Sequence, residues 1–181
     1  RLRVTYAETG RLVMLSHLEI ARALERAVRR AGLPYAVSQG FSPHMKQAFG
    51  SALPVGVGGL EEIFDVSLTD YVPPEEALAR LRASSAPDLM PHAARYITKD
   101  ETAASAAYPR STYEALLEAS RSGDCEMDVL AAARALSVPS EITVVRKKKE
   151  RVLVPSEFIV GELEVESAEP GEEGQERALV R

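Results

Sequence analysis

The chain has 181 residues, 45% apolar and 27% charged, and holds no apolar run near the ~18 residues that a membrane span needs. A single cysteine, Cys125, excludes an internal disulfide and a four-cysteine zinc or iron–sulfur site held by this chain alone. The formal net charge is −5, but residues 1–60 carry eight basic side chains against three acidic ones, and eight Glu fall between Glu157 and Glu176 without one Lys or Arg. One cysteine and no spanning segment predict a reducing, cytoplasmic setting with no membrane partner. The basic first third can attract an anionic partner although the whole chain is acidic, because the local field decides attraction.

Leu2, Val4 and Tyr6 alternate with Arg1, Arg3 and Thr5, the period of a strand with one face exposed, and Glu8, Thr9 and Gly10 supply a turn. Ser16 stands three residues before Glu19, the capping-box spacing, which predicts a helix beginning at His17. Leu18, Ala21, Leu24 or Ala27, Val28 and Ala31 form its apolar seam, Arg22, Arg26, Arg29 and Arg30 project away, and Gly32 with Pro34 ends it. A short extended piece over residues 35–37 leads into a loop, Ser38-Gln39-Gly40-Phe41-Ser42-Pro43-His44, read from its Gly, Pro and Ser content. Residues 46–53 then run as a strand and residues 54–59 as a flexible connector. The alternation of Phe64, Val66 and Leu68 predicts a further strand that closes a hairpin with the previous one.

Pro73-Pro74-Glu75-Glu76 opens a helix to about Ser84 that buries Ala77, Leu78 and Leu81, and residues 92–98 form the next strand. The order strand–helix–strand–strand–helix–strand is an α+β, ferredoxin-like split βαβ arrangement, assigned to a domain of residues 1–100 that carries the candidate site. Its predicted core is Leu18, Leu24, Val28, Phe64, Val66 and Leu68. Residues 99–107, rich in Ala, Ser, Thr and charge, read as a linker. Residues 107–181 read as a second, similar but incomplete α+β unit. There residues 111–118 fit either helix or strand, Asp124 caps a helix reaching Arg134, and a hairpin of Ile142, Val144 and residues 152–154 flanks the basic run 146–151. Leu163 and Val165 begin another strand, and residues 178–181 lie in one.

The loop 38–46 concentrates hydroxyls, an amide, an imidazole and an ammonium around one flexible glycine. Gly40 permits positive φ, Phe41 can stack on a base or fill the core, and Lys46 can neutralise a phosphate, although a plain turn accounts for the same composition. His17 sits at the first helical position, where free amides and the dipole favour anions and a neutral imidazole. A meeting of His17 and His44 would assemble a general base, and the fold decides whether they meet. Metal binding is not expected, since the three His are far apart in sequence and none follows a His-x3-His pattern; only a meeting of His17, His44 and Asp65 would provide it. Residues 56–59 lack the Gly-Lys-Ser/Thr ending of a phosphate loop.

Gly10-Arg11-Leu12, the Ser16-His17-Leu18-Glu19 cap, the helix from Arg22 to Pro34 and the Ser38-to-His44 loop, continued by Ala52-Leu53-Pro54-Val55-Gly56 and the strand around Asp65, together resemble the bacterial radical SAM-linked protein family. That family is a domain of unknown function fused to, or encoded beside, radical SAM proteins. The resemblance implies an accessory domain that recognises substrate, RNA, for a separate radical SAM protein. S-adenosylmethionine and the iron–sulfur cluster then belong to the partner, and this chain binds no cofactor of its own. The substrate-binding set is Arg11, His17, Arg22, Arg26, Gln39, Gly40, Phe41, Ser42, His44 and Lys46. Paired ferredoxin-like units with a loop-borne His also look like CRISPR repeat-processing endoribonucleases. That alternative is a metal-independent ribonuclease with His17, His44 or Lys46 as the catalytic groups, and a non-catalytic protein adaptor is the third reading.

Overall fold

The alternation at the start of the chain builds β1 (Leu2–Glu8), whose Leu2, Val4 and Tyr6 are buried. In this computed structural model, residues 1–118, 128–146, 148–169 and 177–181 are described, and the chain divides into Arg1–Arg110 and Ser111–Arg181. A 3₁₀ turn, Gly10–Met14, follows β1 and leads into α1 (His17–Arg30). The capping box forms: the Glu19 carboxylate accepts from the Ser16 amide at 2.8 Å and from the Ser16 hydroxyl at 2.7 Å. These hydrogen bonds, the hydroxyl first, hold the Glu19 carboxyl below its ordinary value. We expect Ser16→Ala to cost about 0.5–2 kcal/mol. A thermal melt in which that variant matches the parent would move the helix start elsewhere.

The seam of α1 differs from the sequence reading. Ile20, Leu24, Ala27, Val28 and Ala31 are buried, whereas Leu18 is 67% exposed. Leu18 sits in the first turn, two residues before Ile20 and so about 200° away around the helix axis. The helix ends as read, with Gly32 at φ +62, a left-handed conformation open to glycine at no side-chain cost.

β2 (Gln47–Phe49) is shorter than the residues 46–53 expected. Its last ladder bond runs from the Gly50 amide to the Ile63 carbonyl at 3.0 Å, and the chain then turns away toward Pro54. The connector is tied down, with the Gly56 amide donating to the Val13 carbonyl at 2.7 Å. β3 (Gly59–Val66), α2 (Pro74–Ser84) and β4 (Leu89–Tyr96) complete the set; β3 and β4 both start earlier than the alternation indicated. The sheet order is β2-β3-β1-β4 with every pair antiparallel, the ferredoxin-like arrangement. The core lies between one sheet face and the two helices: Leu2, Val4, Phe64 and Val66 meet Leu24, Val28, Ala77 and Leu81, with Leu68 partly buried at its margin.

The other sheet face is not a plain exposed surface. Arg3, read as solvent-facing, is 5% exposed and forms a two-pronged ion pair with Asp65, 2% exposed, at 2.7 and 3.0 Å. Residues 99–107, read as a linker, close over this pair. The Thr102 carbonyl accepts from Arg3 at 2.7 Å, and the Ala104 amide, opening α3 (Ala104–Ala107), donates to Asp65 at 3.0 Å. The Asp65 hydrogen bond raises the Arg3 guanidinium above its ordinary value against the effect of desolvation.

The second unit is also α+β. Residues 115–118 are strand, β5 (Ala115–Glu118), followed by α4 (Val129–Arg134), whose cap is Asp128 accepting from the Ala131 amide at 2.7 Å. Asp124, the expected cap, lies outside the described residues, as does Cys125. β6 (Ile142–Arg146) and β7 (Lys149–Leu153) form the expected hairpin, and β8 (Val165–Ser167) and β9 (Arg177–Val180) join β5 in the antiparallel order β5-β9-β8. Val129 and Ala133 pack on Ala178 and Val180.

Candidate functional site

The loop between α1 and β2 is a pinned hairpin. Val37 bridges Met45, the Ser38 amide donates to the His44 carbonyl at 2.8 Å, and the His44 amide donates to the Ser38 hydroxyl at 3.0 Å. Gly40 takes φ +143, and Gln39, Gly40, Phe41, Ser42, Pro43 and His44 are all exposed. Phe41 at the tip is fully exposed. Burying such a ring is worth about 1.5–3 kcal/mol, so a loop that holds it in water leaves that stabilisation unused.

Lys46 stands at the base of the hairpin, its amide on the Ala36 carbonyl at 2.8 Å and its own carbonyl accepting from the Ser67 amide at 2.9 Å. Beside it is an open depression of about 240 Å³ lined by Arg1, Lys46, Gln47, Ala48, Asp65 and Ser67. Asp65 is already matched by Arg3, so Arg1 and Lys46 give the depression a cationic character. Lys46 makes no ion pair among the described residues, and Arg1 donates to the Glu101 carbonyl at 3.0 Å. Sequence reasoning missed Arg1, because its place beside Lys46 comes from pairing β1 with β3 and β3 with β2.

His17 is elsewhere. Its ring stands edge-on to Phe49 at 5.4 Å, at the far end of β2 from the loop. His44 precedes Phe49 by five residues of extended chain, roughly 16 Å at 3.3 Å per residue. The loop and the helix start are therefore two places, and no general base is assembled from His17 and His44. The cations divide as well. Arg11, Arg22 and Arg26 are exposed, the latter two on α1, which covers the sheet face opposite Arg3 and Asp65. Arg29 is engaged with Glu25 at 2.6 Å and stacks over Tyr35, and Arg30 donates to the Ser84 carbonyl at 2.6 Å. Arg11, Arg22, Arg26 and Lys46 do not form one stripe.

A third polar cluster went unread. Tyr6, Glu8 and Glu62 share the core face at the far end of β1 and β3, with Tyr6 directly opposite Glu62. Tyr6 is 3% exposed and Glu8 5% exposed. Burial first, then the neighbouring Glu62, raises the Glu8 carboxyl; burial raises Glu62. The period itself carries the signal, since Glu8 continues the buried positions 2, 4 and 6 although its neighbours Thr9 and Gly10 favour a turn.

A carboxyl raised in the folded state adds stability below its unfolded value and loses it as pH rises through the folded value. Glu8→Gln removes that loss. The melting temperature of the variant relative to the parent should therefore rise from about pH 4 to pH 8. A constant difference across that range would place Glu8 in water.

Among the described residues, no group of three or more His, Cys, Asp or Glu is gathered to hold a metal ion, and no helix is long and apolar enough to cross a membrane. His17, His44 and Asp65 form no such group, and Asp65 is paired with Arg3. No curated protein and no solved structure matches the chain. A family model does match over residues 1–167, and the chain thus belongs to the family of uncharacterised proteins conserved in bacteria termed DUF2344.

Proposed function

We propose that the first unit recognises RNA through the Phe41 hairpin and the Arg1–Lys46 depression, as an accessory domain to a separate radical SAM protein that carries the S-adenosylmethionine and the cluster. The observation that carries this reading is Phe41, held fully in water at the tip of a pinned loop whose base bears Lys46. An exposed ring beside cations is what an unstacked base and its phosphate require: the ring stacks on the base face and the ammonium meets the backbone. Gln39, Ser42 and His44 add polar groups on the same loop, and the depression has room for a phosphate beside Arg1. Arg11, Arg22 and Arg26 are exposed cations suited to weaker, non-specific contact. The ribonuclease alternative gains nothing from the geometry, since its two histidines stand at opposite ends of the strand.

Affinity capture of the intact protein from its source cells tests the reading. The wild-type chain should bring down RNA together with a radical SAM protein, and Phe41→Ala with Lys46→Ala should lose the RNA while keeping the protein partner. Capture of neither by the wild type would leave the adaptor without its proposed partner and remove this function.

A further inference from the structure

We infer that the open edge of β6 in the second unit is a self-association surface, on which β6 of a second copy of this chain pairs antiparallel about a two-fold axis at Val144. The surface shares no residue with the proposed RNA site. β6 and β7 form a two-stranded ribbon to which, among the described residues, no third strand is added. Such a ribbon is marginal in water unless further strands or a helix cover it. Residues 142–145 and 149–153 are nevertheless all exposed, with Ile142, Val144 and Leu153 on one face and Val145 and Val152 on the other.

The register decides which backbone groups the edge offers. Arg146 and Lys149 close a two-residue turn in which Lys148 takes φ +61, the left-handed conformation of a primed hairpin turn. The closing pair exchanges both amide bonds, and hydrogen-bonded and open pairs alternate along an antiparallel ladder. Ile142, Val144 and Arg146 therefore bond inward to β7, while the amides and carbonyls of Thr143 and Val145 point outward from β6. Edge strands are normally guarded by charged side chains, proline or a bulge. Residues 142–145, Ile-Thr-Val-Val, carry no charge and no proline, and their register with β7 runs without a shift.

A second copy is the occupant because this edge is complementary to itself. With the axis at Val144, Thr143 of each copy stands opposite Val145 of the other, and their outward amides and carbonyls bond in both directions. Val144 then faces Val144, Ile142 faces Arg146, and no like charges are opposed. Glu141 lies beside the basic turn of the other copy. Glu141, Lys148 and Lys149 are exposed and make no ion pair among the described residues, so they are free to meet. The same operation on the outer edge of β7 sets Arg151 against Arg151, and like charges directly opposite destabilise a strand pair. Charge guards β7 and leaves β6 open. The product is one continuous antiparallel sheet in the order β7-β6-β6-β7, with a closed, isologous interface.

Sedimentation equilibrium of the full chain tests the surface, and the expected result is a concentration-dependent dimer of twice 19.7 kDa. Thr143→Pro removes an outward amide without touching the β6–β7 ladder and should weaken the dimer by about tenfold or more. Val152→Pro, the same change on the outer edge of β7, should leave it unchanged. In a Cys125→Ser background, Val144→Cys should form a covalent dimer on air oxidation, because open antiparallel pairs hold their Cα atoms about 4.5 Å apart, within disulfide reach. Val152→Cys should not. Melting curves confirm that each variant folds. A monomer at every concentration, a dimer that Thr143→Pro leaves intact, or failure of Val144→Cys to cross-link overturns the inference. Protection of the Thr143 and Val145 amides from hydrogen exchange in a monomeric chain overturns it as well, since another segment of the same chain would then cover β6.

Discussion

Asp65→Ala is expected to destabilise the first unit by about 3–5 kcal/mol, the cost of leaving a buried charge without its partner. Arg3 is 5% exposed and keeps its charge, and the Ala104 amide also loses its acceptor when Asp65 is removed. Equilibrium denaturation in urea measures the loss. The double variant Arg3→Met with Asp65→Leu should recover most of it, because an apolar pair of similar volume needs no compensation. A loss below about 1 kcal/mol for Asp65→Ala would mean that water reaches Arg3 and that residues 102–104 do not close over the pair.

Leu24→Ala and Leu18→Ala, on the same helix, should behave oppositely. Leu24 is 1% exposed and packed in the core, so its truncation should cost about 2–5 kcal/mol, lost transfer plus cavity. Leu18 stands in water, and its truncation should fall within about 0.5 kcal/mol of zero. Equal losses at the two positions would put the seam of α1 back where its spacing alone suggested.

These two pairs show what the sequence makes legible. The cap at Ser16 and Glu19, the end of α1 at Gly32 and the start of α2 at Pro74 depend on neighbours within a few residues, and they appear where expected. The strand–helix order likewise follows from local periodicity and gives the ferredoxin-like sheet. Leu18 and Ile20 compete for the same seam, and only the direction of the sheet beneath α1 decides between them. Arg3 looks exposed because polar residues on alternating strands usually are; its burial depends on Asp65, 62 residues away, and on a segment that composition marks as a linker. The loop 38–44 is readable from Gly, Ser and Pro, and its polar side chains stand in solvent as a binding loop requires. Its separation from His17 is a property of topology, which no spacing along the chain encodes.

RNA binding by the Phe41 hairpin and Lys46 can be measured by a fluorescence-anisotropy titration of labelled single-stranded RNA at several salt concentrations. Binding should weaken as salt rises, since each phosphate neutralised releases counterions. Phe41→Ala should weaken it by about 5- to 150-fold, the equivalent of 1–3 kcal/mol of base stacking, at an unchanged salt slope. Lys46→Ala should instead flatten the slope by about one phosphate contact. Absence of binding at low salt, or binding that both variants leave intact, would contradict it.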